Sequence, residues 1–84
     1  MQKGFNSDIS FRGCSYHVQT EDWGNANPFL VSRVFKSGAV LKTIKISYEE
    51  ALRVESLKNS EAIKAALKKQ HMRVCDLIHT GEIA

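Results

Sequence analysis

Residues 5–20 alternate apolar and polar side chains on both sides of Arg12-Gly13, and no other pattern restricts the fold of this chain as much. A two-residue turn there sets Phe11 opposite Cys14, Ile9 opposite Tyr16, Ser7 opposite Val18 and Phe5 opposite Thr20. Phe5, Ile9, Phe11, Cys14, Tyr16 and Val18 then share one face, and Asn6, Asp8, Ser10, Ser15, His17 and Gln19 share the other. Period-two alternation in two strands at once is the pattern of a hairpin with one buried and one wet face. Arg-Gly is a weaker primed turn than Asn-Gly, so a one-residue bulge at that point is allowed.

A second hairpin follows, Phe29 to Lys36 and Ala39 to Ile46, turning at Ser37-Gly38. Its simplest register pairs Phe29 with Ile46, Val31 with Ile44 and Phe35 with Val40 on one face. The same register sets Arg33 against Lys42, and like charges directly opposite are unfavourable. Either the register shifts, or a ligand or an acid such as Glu21 or Asp22 lies between them. Asp22-Trp23-Gly24-Asn25-Ala26-Asn27-Pro28 joins the hairpins as a loop rich in turn residues.

The second half changes period. Ser47-x-x-Glu50 is a capping box, followed by the short apolar stripe Tyr48, Ala51, Leu52, Val54 and Leu57. Asn59-Ser60 offers a break or a fresh cap, and a long helix runs from Ser60 or Glu61 to about Thr80, stopping at Gly81. On it Ile63, Ala66, Leu67, Gln70, His71, Val74, Leu77 and Ile78 cover one arc of about 140°, with Ala62, Lys69, Met72, Arg73 and Asp76 opposite. The expected fold is α+β in a single domain, residues 1–84: a four-stranded antiparallel sheet of two hairpins (strands about 5–46), a short helix, and a long amphipathic C-terminal helix packed on one face (helices about 48–80).

Size and charge limit what such a fold can do. A chain of 84 residues buries only about 60–65% of its unfolded surface, so its core is thin and a partner subunit helps. No stretch approaches the ~18–20 apolar residues of a membrane-spanning helix. The start, Met1 to Asp8, has no apolar segment of a secretory signal, and Cys14 and Cys75 do not form a CxxC, so a reduced, cytoplasmic protein is expected. The net charge of +3 is spread: residues 1–42 hold five bases and three acids, residues 43–84 seven and six.

Tyr16-His17-Val18-Gln19-Thr20-Glu21-Asp22, followed by Gly24 and Asn27-Pro28, then Ser47-Tyr48 at the entry to the helices and a late Gln70-His71 pair, resembles a group of small uncharacterised bacterial proteins. The resemblance spans most of the chain and implies a small cytoplasmic bacterial protein of one domain. Trp23 and the helix end around Cys75 depart from the group's pattern. No activity attaches to the group, so the resemblance bears on fold and not on chemistry.

Several constellations invite chemistry. Asp8 opposite His17, beside Ser10 and Ser15, has the residue types of a hydrolase triad. A flat wet face offers neither an oxyanion hole nor exclusion of water, so an exposed cross-strand pair is the expected role. His71, Cys75 and His79 follow one another at i, i+4 and i+8 along the helix flank, and imidazole with thiolate suits a borderline-soft metal such as zinc. The competing reading makes His71 a boundary residue, Cys75 a small core hydrophobe and His79 a cation at the helix C-terminus. Lys64, Lys68, Lys69 and Arg73 form an acid-free run, divided over two flanks, that would serve a weak nucleic-acid accessory role. Trp23 is either an interface anchor or a lid over the open end of the sheet. Met72, beside Ala62 and Ala65, suggests a second helix-packing surface and a homodimer.

The sequence thus predicts a non-enzymatic binding or protein-interaction domain without cofactor, whose partner is another protein or a second copy and not a membrane. Asp8, His17, Gln19, Glu21, Asp22 and Trp23 are its expected contact residues. Nucleic-acid binding by the long helix is the alternative.

Overall fold

The computed structural model describes residues 3–24, 26–53 and 60–83. Four strands, β1 (Lys3–Phe11), β2 (Cys14–Asp22), β3 (Phe29–Lys36) and β4 (Ala39–Ser47), precede helices α1 (Tyr48–Leu52) and α2 (Ser60–His79). The sheet is antiparallel throughout in the order β1-β2-β3-β4. The α+β expectation holds in class, element order and packing. Val54, Leu57 and Asn59, assigned above to the first helix and the break after it, lie outside the described residues, as does Asn25 of the loop.

The first hairpin has the expected register along its whole length, from Phe11 opposite Cys14 to Phe5 opposite Thr20. Arg12 (φ 52°) and Gly13 (φ 79°) both occupy the left-handed region, the requirement of a two-residue turn whose twist matches the strands. No bulge is needed there. The second hairpin turns the same way at Ser37 (φ 56°) and Gly38 (φ 80°), and this is where the bulge lies. Phe35 pairs with Val40, but Val34 pairs with Lys42, leaving Leu41 as the extra residue.

That bulge corrects the simple register. One inserted residue flips the facing of every residue beyond it. Arg33 therefore faces Thr43 and not Lys42. Ile44 and Ile46 turn to the helix side, opposite Ser32 and Leu30, while Phe29, Val31 and Phe35 stay on the other face. Two isoleucines gain a covered position and a like-charge pair is avoided, which gives the bulge its physical reason.

The helix α2 packs on the face carrying Ile9, Tyr16, Val18 and Val34, which with Val74 and Ile78 form one buried cluster. Leu30, Ala66 and Leu67 form a second, with Tyr48, Ala51 and Ile63 packed against it. Ala62, placed above on the polar side of the helix, is fully buried, so the buried stripe begins one turn before Ala66 and is wider toward that edge than the arc suggested. Beyond His79 the chain closes with two reversed bonds, Gly81 N–H to Ile78 O (3.0 Å) and Glu82 N–H to Leu77 O (2.9 Å), made at a left-handed Gly81 (φ 83°). Ile83 then packs against the first cluster. Among the described residues no helix is long and apolar enough to cross a membrane.

Candidate functional site

Alternation along the registers puts one face of the sheet away from α2. On it lie three cross-strand rows: Asp8, His17, Phe35 and Val40; Asn6, Gln19, Arg33 and Thr43; Gly4, Glu21, Val31 and Lys45. His17 Nδ1 donates to the Asp8 carboxylate (2.8 Å), and the His17 ring lies 6.0 Å from that of Phe35. Gln19 Nε2 donates to Glu21 (2.7 Å) and Trp23 Nε1 donates to the other Glu21 oxygen (3.3 Å). The Trp23 ring is thereby drawn back over β3 and β4, with the Arg33 guanidinium 5.7 Å and the Lys45 ammonium 5.2 Å from its centre. Lys45 also lies 4.4 Å from the Phe29 ring. Beneath this cover Val31, an open-face residue by register, is only 2% exposed. At the opposite end the face sinks into a basin of about 640 Å³ lined by Asp8, His17, Gln19 and Phe35.

Five of the six expected contact residues, Asp8, His17, Gln19, Glu21 and Trp23, are thus gathered on one surface. Asp22 is not among them. Its register partner is Leu30, on the helix side, and its carboxylate accepts from the Tyr48 hydroxyl and from Gly24 N–H (2.9 Å). This contact ties the end of β2 to the first residue of α1. The Asp8 and His17 side chains are 90% and 39% exposed, so the pair stands in water.

Burial first, and then the Asp22 hydrogen bond and charge, push the Tyr48 phenol up to about 12. A tyrosine that ionises near 10 when unfolded and near 12 when folded weakens the fold as pH rises through that interval. Asp22→Asn removes the charge while keeping the acceptor. Phenolate absorbance is expected to appear at lower pH in that variant; an unchanged titration would show that the contact does not govern Tyr48.

Between the two apolar clusters runs a polar seam that links sheet and helix. His71, 6% exposed, bonds Thr20 Oγ1 through Nδ1 and Ser7 Oγ through Nε2, both at 2.8 Å. Thr20 Oγ1 is 2.8 Å from Ser32 Oγ, and Gln70 Nε2 donates to Ser32 Oγ (3.0 Å) and to Leu30 O (3.1 Å). The Gln70 amide nitrogen can only donate, which gives the chain a direction. Ser32 accepts from Gln70 and donates to Thr20, Thr20 donates to Nδ1, and Nε2–H donates to Ser7, whose hydroxyl bonds the Cys75 thiol. Each hydroxyl then accepts once and donates once. Burial holds His71 below its ordinary pKa, with the charge of His17 a second cause, so the ring is kept neutral. Burial raises the Cys75 thiol, against the Ser7 hydrogen bond.

This arrangement redistributes the metal candidates. Both nitrogens of His71 are engaged by hydroxyls. His79 is exposed at the helix end, two turns beyond, about 12 Å along the axis. Among the described residues no three His, Cys, Asp or Glu side chains converge as a metal site. Ser7, Thr20 and Ser32 were missed as a unit in the sequence, although the signal was there. Ser7 and Thr20 occupy inward positions of the first hairpin, and Gln70 and His71 lie in the inward arc of the helix. Polar residues predicted inward on two facing elements are a hydrogen-bonding network in waiting.

The basic residues of α2 separate. Lys64 and Lys68 border a hollow beside Phe5 at the β1 edge, while Lys69 and Arg73 border a groove beside β4. Met72 is 56% exposed, but Ala62 is buried, so the small-residue strip expected beside it is not there. No protein-family model, curated protein or solved structure matches the chain.

Proposed function

We propose that this chain is a small interaction domain without a catalytic role, and that a second copy of itself is the partner bound by the open face of the sheet. The observation that supports this most is the way charge divides on that face. Its acids, Asp8 and Glu21, lie on β1 and β2, and its fixed bases, Arg33 and Lys45, on β3 and β4. A two-fold axis parallel to the strands, passing between β2 and β3, lays the acidic half of each copy over the basic half of the other. His17 then meets Phe35 of the second copy, and Gln19 meets its Arg33. The raised Trp23 lands over Gly4, which has no side chain to obstruct it.

The face measures about 19 Å by about 30 Å from strand spacing and rise, so each copy covers roughly 570 Å², the low end for specific pairs. A weak, concentration-dependent dimer is the expected form. The free Cys14 and Cys75 thiols suit a reducing compartment, in keeping with a cytoplasmic bacterial protein of the group it resembles. Sedimentation velocity over a concentration series tests the reading. Lys45→Glu is expected to weaken the dimer by about tenfold, and adding Glu21→Lys to recover part of that loss. A monomer at every concentration, or a dimer indifferent to Lys45→Glu, would refute it.

A further inference from the structure

We infer that the basin at the turn end of the open face binds a small organic cation, a guanidinium or ammonium group on a short apolar chain. The hollow has a cause in the sequence. Asp8, His17 and Phe35 stand in one cross-strand row. Beyond that row Ser10 pairs with Ser15 and the second hairpin turns at Ser37-Gly38, so the end of the sheet carries short side chains only. The volume, about 640 Å³, lies within the range of small-molecule sites.

Hydrogen bonding on this face uses up donors and leaves acceptors. A carboxylate can only accept, so His17 Nδ1 carries the proton it shares with Asp8, and the neutral ring keeps Nε2 as an acceptor. The second Asp8 oxygen takes no bond from the described residues. Gln19 directs its amide nitrogen to Glu21, which leaves its carbonyl oxygen to accept. The bases that could neutralise Asp8 are held elsewhere. Arg12 lies over Phe11 (4.9 Å) and Lys36 over Tyr16 (5.7 Å), both on the helix side, and Arg33 lies over Trp23 (5.7 Å) at the far end of the face. Among the residues lining the basin Asp8 is the one fixed charge. A guanidinium offers five N–H donors in a plane, a positive charge for Asp8 and a flat surface for the Phe35 ring. In the dimer Asp8 faces Val40 of the second copy, which brings it no charge. A basin closed over in this way holds a small molecule and not a chain. That choice of a free molecule rests on the dimer reading; the choice of a cation does not.

The test titrates the full, isotope-labelled chain with butylguanidinium, butylammonium and butylurea, and follows the backbone amides by NMR. Butylurea has the shape of the guanidinium without its charge. Butylguanidinium should shift the amides of Ser10, Ser15, His17 and Phe35 and leave those of Val31 and Lys45 in place, with a Kd on the order of 1 mM. Butylurea should bind at least about tenfold more weakly, with butylammonium between the two. Asp8→Asn, at an exposed position, should weaken butylguanidinium binding about tenfold. Phe35→Leu, which keeps an apolar contact and removes the ring, should weaken it about threefold. Lys45 does not line the basin, so Lys45→Glu should bind butylguanidinium as the wild type does even where its dimer is lost. Equal binding of butylurea, shifts confined to another part of the sheet, or an affinity indifferent to Asp8→Asn would each overturn the inference. Loss of binding in Lys45→Glu would overturn the claim that a single copy makes the cation site. A blocked Gly-Arg-Gly peptide binding more tightly than butylguanidinium would overturn the choice of a free molecule and assign the basin to a side chain of another protein.

Discussion

Leucine in place of His71 is expected to remove about 3 kcal/mol of stability and to lower the melting temperature by about 10–20 °C. The loss does not come from volume, because leucine nearly fills the space of the ring. It comes from hydroxyls left without a partner. Thr20 is fully buried and donates to His71 Nδ1, so its proton loses its acceptor, and Ser7 loses its donor on the other side. An unsatisfied buried polar group costs about 1–3 kcal/mol, whereas removing both partners together can be nearly neutral. Because Ser32 in turn donates to Thr20, both hydroxyls must go: Thr20→Val and Ser32→Ala combined with His71→Leu are expected to be more stable than His71→Leu alone, Gln70 keeping Leu30 O as its acceptor. Chemical denaturation of the two variants decides it. If the combined variant is the less stable, the seam does not behave as a hydrogen-bonded unit.

Acid makes a second reading of the same residue. The native pKa of His71 is depressed, chiefly by burial, from an unfolded value of about 6.5. Between those two values the unfolded chain holds a proton that the native chain refuses, so stability rises with pH across that window and falls as pH drops below about 6.5. The leucine variant lacks this dependence. The stability gap between wild type and His71→Leu should accordingly narrow on acidification, and a gap independent of pH would show that the fold does not depress the His71 pKa.

How much of this was legible in the sequence depends on whether the information was local. The first hairpin was read residue by residue because two alternating strands meet at one short turn, and its pairing admits no slip without exposing Ile9, Tyr16 and Val18. The second hairpin was legible only up to its bulge. The clash of Arg33 with Lys42 announced that the simple register was wrong, but where the extra residue enters depends on α2 offering cover to Ile44 and Ile46, which no window within the hairpin contains. Asp22 differs from Glu21 and Trp23 because strand alternation continues to the last residue of β2 and turns it to the helix side, opposite Leu30. The seam joins residues up to 64 positions apart: alternation marks Ser7 and Thr20 as inward, but which partners they meet is set only when the helix is docked.

Leu30→Ala should cost about 3 kcal/mol, within the usual range of about 2–5 kcal/mol for a buried leucine truncated to a methyl. Leu30 is fully buried and, with Leu67, is one of the two large side chains among the buried residues of its cluster, Leu30, Ala66 and Leu67. Two of its neighbours in the cluster, Ala66 and the half-buried Ala51, are too small to fill the void by shifting. By contrast Val40, 53% exposed on the same sheet, should lose well under 1 kcal/mol on the same truncation. The consequence reaches past stability, because Tyr48 and Ala51 of α1 pack on this cluster and Tyr48 is the partner of Asp22. A loosened cluster admits water to the phenol, and the Tyr48 pKa should move down from about 12 toward 10 in the same variant. Ile78→Ala, in the other cluster, should cost a similar amount and leave the Tyr48 titration in place. With the polar seam between them, the two truncations should add to within about 0.5 kcal/mol when combined. Strong non-additivity would mean that the seam transmits packing strain between the clusters.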